Sequence, residues 1–173
     1  MQGASRAVRL ASYAIPCLTL LVFFQGAFYA WFFMDDFAWL GLPGQTRDFK
    51  SFIDSLFWPL AQGTVRFLSE RLYFLSLATL FGFDVAPFRI VTFATQCYSL
   101  VMLNRLTEKL TGSALAGFAA AMLWAVFPWL GVPLSWASAY NQILCAALML
   151  SAFWFLVRYL ESGSRRHAIA MWI

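Results

Sequence analysis

Charge is the scarcest ingredient of this chain: only 12% of its 173 residues are charged, against 62% that are hydrophobic. A water-soluble fold of this length must cover itself with more charge than that, so a soluble domain is excluded. Cysteine is also thin. Cys17, Cys97 and Cys145 are odd in number, and each sits inside an apolar run where a thiol behaves as a small hydrophobe. Neither a disulfide framework nor a metal-ligand spacing is present. A basic patch is missing too. The formal net charge of +4 comes from residues placed singly or in pairs at the edges of apolar runs, which is the pattern of topology signals and excludes a nucleic-acid partner. The one histidine, His167, stands beside Arg165 and Arg166 in such an edge cluster.

What the chain has instead is apolar and aromatic bulk: a mean hydropathy of +0.71, with 19 Phe, 8 Trp and 6 Tyr. This is the composition of an integral membrane protein. The first apolar run covers residues 10–34, carries no charge, and ends abruptly at Met34-Asp35-Asp36-Phe37. Arg6 and Arg9 precede it like the basic region of a secretory signal, but the run is too long for one and no small-x-small cleavage site follows. At about 1.5 Å per residue it more than spans a hydrocarbon core of about 30 Å, which predicts a tilted, retained helix.

Gly41-Leu42-Pro43-Gly44 reads as a turn or loop. Beyond it, Phe49, Phe52, Ile53, Leu56 and Phe57 recur at helical spacing opposite Arg47, Asp48, Lys50, Ser51, Asp54 and Ser55. The spacing predicts an amphipathic surface helix over residues 47–58, capped by Thr46 and stopped by Pro59. A second surface helix is expected over residues 66–83, where Arg66, Ser69, Glu70, Tyr73 and Ser76 draw a polar stripe and Arg71 intrudes on the apolar side. Spans follow at about residues 90–106, 114–130 and 137–157, and a fifth opens at residue 168.

Basic residues arbitrate the topology. If residues 66–83 do not cross, then Arg6, Arg9, Arg105, Lys109, Arg158, Arg165 and Arg166 all share one side, which must be the cytoplasm. The expected architecture is therefore an all-α polytopic transmembrane helical bundle over residues 1–173, forming a single transmembrane domain in the bacterial inner membrane. Its N-terminus is cytoplasmic and its amphipathic helices lie on the outer face. Asp35 and Asp36, both surface helices and the loop over residues 127–141 share that outer side.

The topology thus gathers Asp35 and Asp36 with Arg66, Glu70 and the aromatic loop that carries Trp136, Tyr140 and Asn141. Carboxylates can activate a hydroxyl or bind a divalent cation, which Asp35 and Asp36 would hold, and an arginine can pair with a phosphate. Plainer readings stand beside this one. The two acids can simply end a helix in water, and Arg66 with Glu70 can be a surface ion pair at i, i+4. Trp31, Trp39, Trp58, Trp129 and Trp136 suit interface anchors, and Gln25, Gln96 and Asn104 suit interhelical hydrogen bonds.

Four features make the sequence similar to the N-terminal third of the GT-C superfamily of polytopic membrane glycosyltransferases, protein mannosyltransferases among them. They are the first span ending in Asp35-Asp36-Phe37; Gly63-Thr64-Val65-Arg66-Phe67-Leu68-Ser69 opening an amphipathic helix; Leu80-Phe81-Gly82-Phe83-Asp84 with Pro87; and Thr111-Gly112-Ser113. Phe127-Pro128 followed by Trp136-Ala137-Ser138 is a weaker fifth. The resemblance implies transfer of a sugar from a polyprenyl-phosphate donor to a glycan, lipid or protein acceptor outside the cytoplasm. Asp35 or Asp36 would serve as catalytic base or orient the acceptor, and Arg66 would take a structural or phosphate-proximal role; Glu70, Trp136, Tyr140 and Asn141, which the topology places beside them, would complete the substrate site. It departs from the family at Phe127 and the apolar stretch 130–134, where related sequences often carry a histidine and an acid. A non-catalytic membrane subunit or a truncated fragment of such an enzyme, working with membrane-protein partners, is the alternative. A transporter of lipid-linked substrates is a third reading, against which stands the lack of a broken helix pair or inverted repeat.

Overall fold

A computed structural model describes residues 6–59 and 66–172. All regular elements among them are helical. Two helices are long and apolar enough to cross a membrane, Arg6–Phe23 and Ala137–Ser162, and a third candidate arises if the bent pair Ala114–Ala125 and Pro128–Ser135 counts as one span. The chain divides into two compact units, one of residues 1–25, 93–130 and 144–173, the other of residues 26–92 and 131–143.

The first unit holds α1 (Arg6–Phe23), the second part of α6 (Val85–Thr111), α7 (Ala114–Ala125), most of α9 (Tyr140–Ser162) and α10 (Arg165–Ala170). α1 is shorter than the apolar run that predicts it, because the chain tightens into a 3-10 turn at Gln25–Tyr29. Inside α1 sits Pro16, which has no N–H to give the carbonyl of Ser12 one turn earlier. The Asn104 amide of α6 supplies that bond instead, donating to the Ser12 carbonyl at 3.0 Å. It comes this close because α7 carries Gly117 there: a Cβ at that position would lie 2.5 Å from the Asn104 backbone oxygen and 2.8 Å from its Oδ1. Near the same end of α6 Lys109 pairs with Glu161 at 2.7 Å, and Arg105 stacks 4.6 Å from the Trp154 ring.

α6 is the longest helix, at 27 residues. It is nevertheless not among the apolar candidates, since Gln96, Asn104, Arg105, Glu108 and Lys109 lower its hydropathy. Thus the span expected at 90–106 corresponds to a helix that is long enough but more polar than its neighbours. The run at 114–130 is likewise interrupted: α7 stops at Ala125 and the chain turns through a 3-10 segment at Pro128–Leu130.

The second unit is built of short helices: α2 (Asp36–Leu40), α3 (Leu42–Gln45), α4 (Phe49–Phe57), α5 (Tyr73–Phe81) and α8 (Gly131–Ser135), with the start of α6 and of α9. The Gly41-Leu42-Pro43-Gly44 stretch is α3 instead of a loop, with its proline in the first turn where a missing N–H costs nothing. α4 is capped by Asp48, not Thr46. Asp48 and Ser51 form a reciprocal capping box, while the Thr46 hydroxyl donates to the Leu42 carbonyl at 2.9 Å. Residues Phe67–Leu72 form a π-helical stretch before α5, so the expected single helix at 66–83 is two segments. Gly63, Thr64 and Val65 lie outside the described residues.

Candidate functional site

The acids sit on a strained turn. Met34 has φ of 54°, the left-handed region that a side chain other than glycine adopts at a cost of about 1–3 kcal/mol. Two bonds clamp the turn around it: the Phe33 N–H donates to Asp36 Oδ2 at 3.2 Å, and the Asp36 N–H donates to the Phe33 carbonyl at 3.2 Å. Asp36 Oδ1 accepts two more, from the Ser138 N–H at 2.7 Å and the Ser138 hydroxyl at 2.5 Å. Asp36 is completely buried, and three donors use most of the four lone-pair positions a carboxylate offers. Its chemistry is structural: it ties the end of the first apolar run to the 3-10 turn at Ala137–Ala139.

Asp35 differs. It is half-buried, and its Oδ1 accepts from the Trp136 indole N–H at 3.0 Å. The Trp136 ring in turn stacks on Phe33, with centroids 5.5 Å apart and planes 28° from parallel. One oxygen of the Asp35 carboxylate is therefore oriented by Trp136, on the turn that Asp36 braces.

Arg66 and Glu70 meet at 2.9 Å, but not as a surface pair: the Glu70 side chain is 2% exposed and Arg66 40%. Burial pushes the Glu70 carboxyl above its ordinary value, and the positive charges of Arg66 and Arg71 oppose that shift. Glu70 Oε2 is buried without a partner. Tyr140 stacks on Tyr73 at 4.2 Å and is buried, so it belongs to the packing beneath the site. The Tyr73 hydroxyl donates to the Phe88 carbonyl at 2.9 Å. Asn141 lies in the first turn of α9, and no described contact brings it to the acids.

Two of the tryptophans expected as interface anchors have other partners: Trp136 holds Asp35, and Trp39 is buried with the Arg71 guanidinium 4.4 Å from its ring. Trp31, Trp58 and Trp129 are exposed. The residues that the sequence pattern passed over are Arg71 and Arg89, both completely buried. Arg89 donates from Nη2 to the Ala30 carbonyl at 2.8 Å, with Nε and Nη1 unpartnered. The signal for Arg71 was its place on the apolar side of an amphipathic pattern, where a charge is either an error of register or a buried group.

Among the described residues no three His, Cys, Asp or Glu side chains gather as metal ligands would. The chain matches no protein-family model, no curated protein and no solved structure.

Proposed function

We propose that this chain carries the acceptor side of a membrane sugar transferase, which moves a sugar from a polyprenyl-phosphate donor to an acceptor outside the cytoplasm. The protein is a multi-pass inner-membrane bundle with a cytoplasmic N-terminus, four spans, and α4 and α5 on the outer surface. The observation that carries the reading is the division of labour between adjacent carboxylates: Asp36 saturated and enclosed, Asp35 half-buried with one oxygen steered by Trp136. An inert helix end facing water needs no such arrangement.

Asp35 accepts the proton of the acceptor hydroxyl as that oxygen attacks the anomeric carbon. The new C–O bond forms while the bond from that carbon to the donor phosphate breaks, and polyprenyl phosphate leaves with the bonding electrons. Configuration inverts. A positioned general base contributes about 10²–10⁴-fold to such a step. Sugar transfer from a panel of radiolabelled polyprenyl-phosphate donors, measured in membranes, tests the reading. Asp35→Asn should lower transfer by about 10²-fold or more at unchanged expression. Transfer indifferent to Asp35→Asn, or none with any donor, overturns it. A non-catalytic subunit is the second reading, favoured because the loop that meets the acids supplies Trp136 and Ser138 but no acid of its own.

A further inference from the structure

The helices of the first unit bring their charged ends together. Asn104 of α6 donates to the Ser12 carbonyl of α1 at 3.0 Å, and Cys17 Sγ lies 3.7 Å from the Cys97 carbonyl, so the two helices run antiparallel. Arg9 and Arg6, which precede Ser12, therefore lie toward the end of α6 that carries Arg105 and Lys109. α9 runs parallel to α6. Tyr98 meets Ser151 at 2.7 Å and Lys109 meets Glu161 at 2.7 Å, which brings Arg158 to the same end. Gly163, with φ of 62°, then turns the chain into α10, and the Ser162 hydroxyl meets His167 Nδ1 at 2.9 Å, so Arg165 and Arg166 stay at the end of α9. This end holds every Lys and Arg of the unit, against two acids, Glu108 and Glu161. Lys109 already occupies Glu161, and Arg105 lies over Trp154. Arg6, Arg9, Arg158, Arg165 and Arg166 are exposed and form no ion pair with the described residues.

We infer that this cationic end of the first unit docks anionic phospholipid headgroups, several at once. Like charges gathered at one end repel one another, and a partner that spreads negative charge over a plane relieves all of them together. A single soluble anion meets only one or two. The segment that follows the arginines points to the same partner. Ile169 and Trp172 stand 63% and 84% exposed, the apolar and aromatic neighbours that suit a segment at headgroup depth, with its cations toward the phosphates. A soluble polyanion offers these two side chains no cover. The inference rests on α1 and α9 crossing a membrane, and not on the transferase reading.

The test is thermal unfolding of the purified full chain in maltoside micelles, followed by tryptophan fluorescence. Phosphatidylglycerol is added in one arm, phosphatidylcholine in a second and glycerol phosphate in a third. At about tenfold excess over Kd, phosphatidylglycerol should raise the melting temperature by about 3–6 °C, and the other two should leave it unchanged. The gain should shrink in about 1 M sodium chloride, where the screening length is about 3 Å. Arg165→Gln with Arg166→Gln changes two exposed side chains that hold no described hydrogen bond, and should remove at least half of the gain. Arg47→Gln with Lys50→Gln, at the start of α4 in the second unit, removes the same charge and should keep it. An equal gain with phosphatidylcholine or glycerol phosphate, a gain indifferent to salt, or equal losses in the two double variants overturns the inference. A chain that stays monodisperse without detergent sinks the membrane reading beneath it, whereas a detergent-dependent chain indifferent to phosphatidylglycerol sinks the inference alone.

Discussion

The carbonyl of Ser12 and the guanidinium of Arg71 present the same problem, a polar group taken out of water, and the two units answer it differently. In the first unit Pro16 removes a donor, Asn104 replaces it, and Gly117 leaves the room that this requires. The deficit is closed locally, within three packed helices. In the second unit Arg71, Glu70 Oε2, Trp39 Nε1 and part of Arg89 stay buried without partners. An unsatisfied group in an apolar interior costs about 1–3 kcal/mol, more when charged, and a fold keeps such groups only where something offsets them. Neither unit is free of such groups, since Gln96 Nε2 and Oε1 are buried without partners in the first; the contrast teaches that the remainder there is a neutral amide, while in the second it includes two guanidiniums and a carboxylate oxygen.

Three experiments would break or sharpen this contrast. The largest effect is expected at Asp36, whose carboxylate is completely buried and accepts three hydrogen bonds. Asp36→Ala orphans the Ser138 N–H, the Ser138 hydroxyl and the Phe33 N–H together, and should cost about 3–5 kcal/mol or abolish folded protein. Fluorescence melts and yield after size exclusion would show it, and a variant as stable as wild type would deny Asp36 its structural role.

A smaller effect is expected in the first unit. Asn104→Leu should cost about 0.6–2 kcal/mol. In a Pro16→Ala background the residue at position 16 regains its N–H, so the same Asn104→Leu change should cost clearly less. A double-mutant cycle reads this coupling directly, and simple additivity would mean that Asn104 is not replacing the proline's missing donor.

The smallest effect concerns Glu70. Its folded carboxyl binds a proton more readily than the unfolded one, whose ordinary value is 4.5. The group therefore favours the folded state below that value, and this advantage is lost as pH rises through the elevated folded value. Stability should fall over that window, and Glu70→Gln should flatten the slope in pH-dependent melts. An unchanged slope would place the titration elsewhere.

Much of this molecule follows from residue order. A shortage of charge with long apolar runs dictates helices, because a backbone out of water must satisfy its own hydrogen bonds. The periodicity of Phe49, Phe52, Ile53, Leu56 and Phe57 marks α4 almost to its ends, and the arrival of Asp35 and Asp36 marks the end of the first apolar run. Local chemistry misled at Thr46, since Asp48 with Ser51 makes the stronger cap, and at Gly41 to Gly44, where proline sits in a first turn. What no periodicity could assign was the separate fates of Asp35 and Asp36, or of Trp39 and Trp136. Those depend on partners about a hundred residues away, such as Ser138 and Trp136, or on Arg71, whose burial inverts the meaning of its charge. Sequence spacing determines which face of a helix a residue occupies. Which atom waits on the other side is decided by long-range packing, and for buried carboxylates and guanidiniums that atom sets the chemistry.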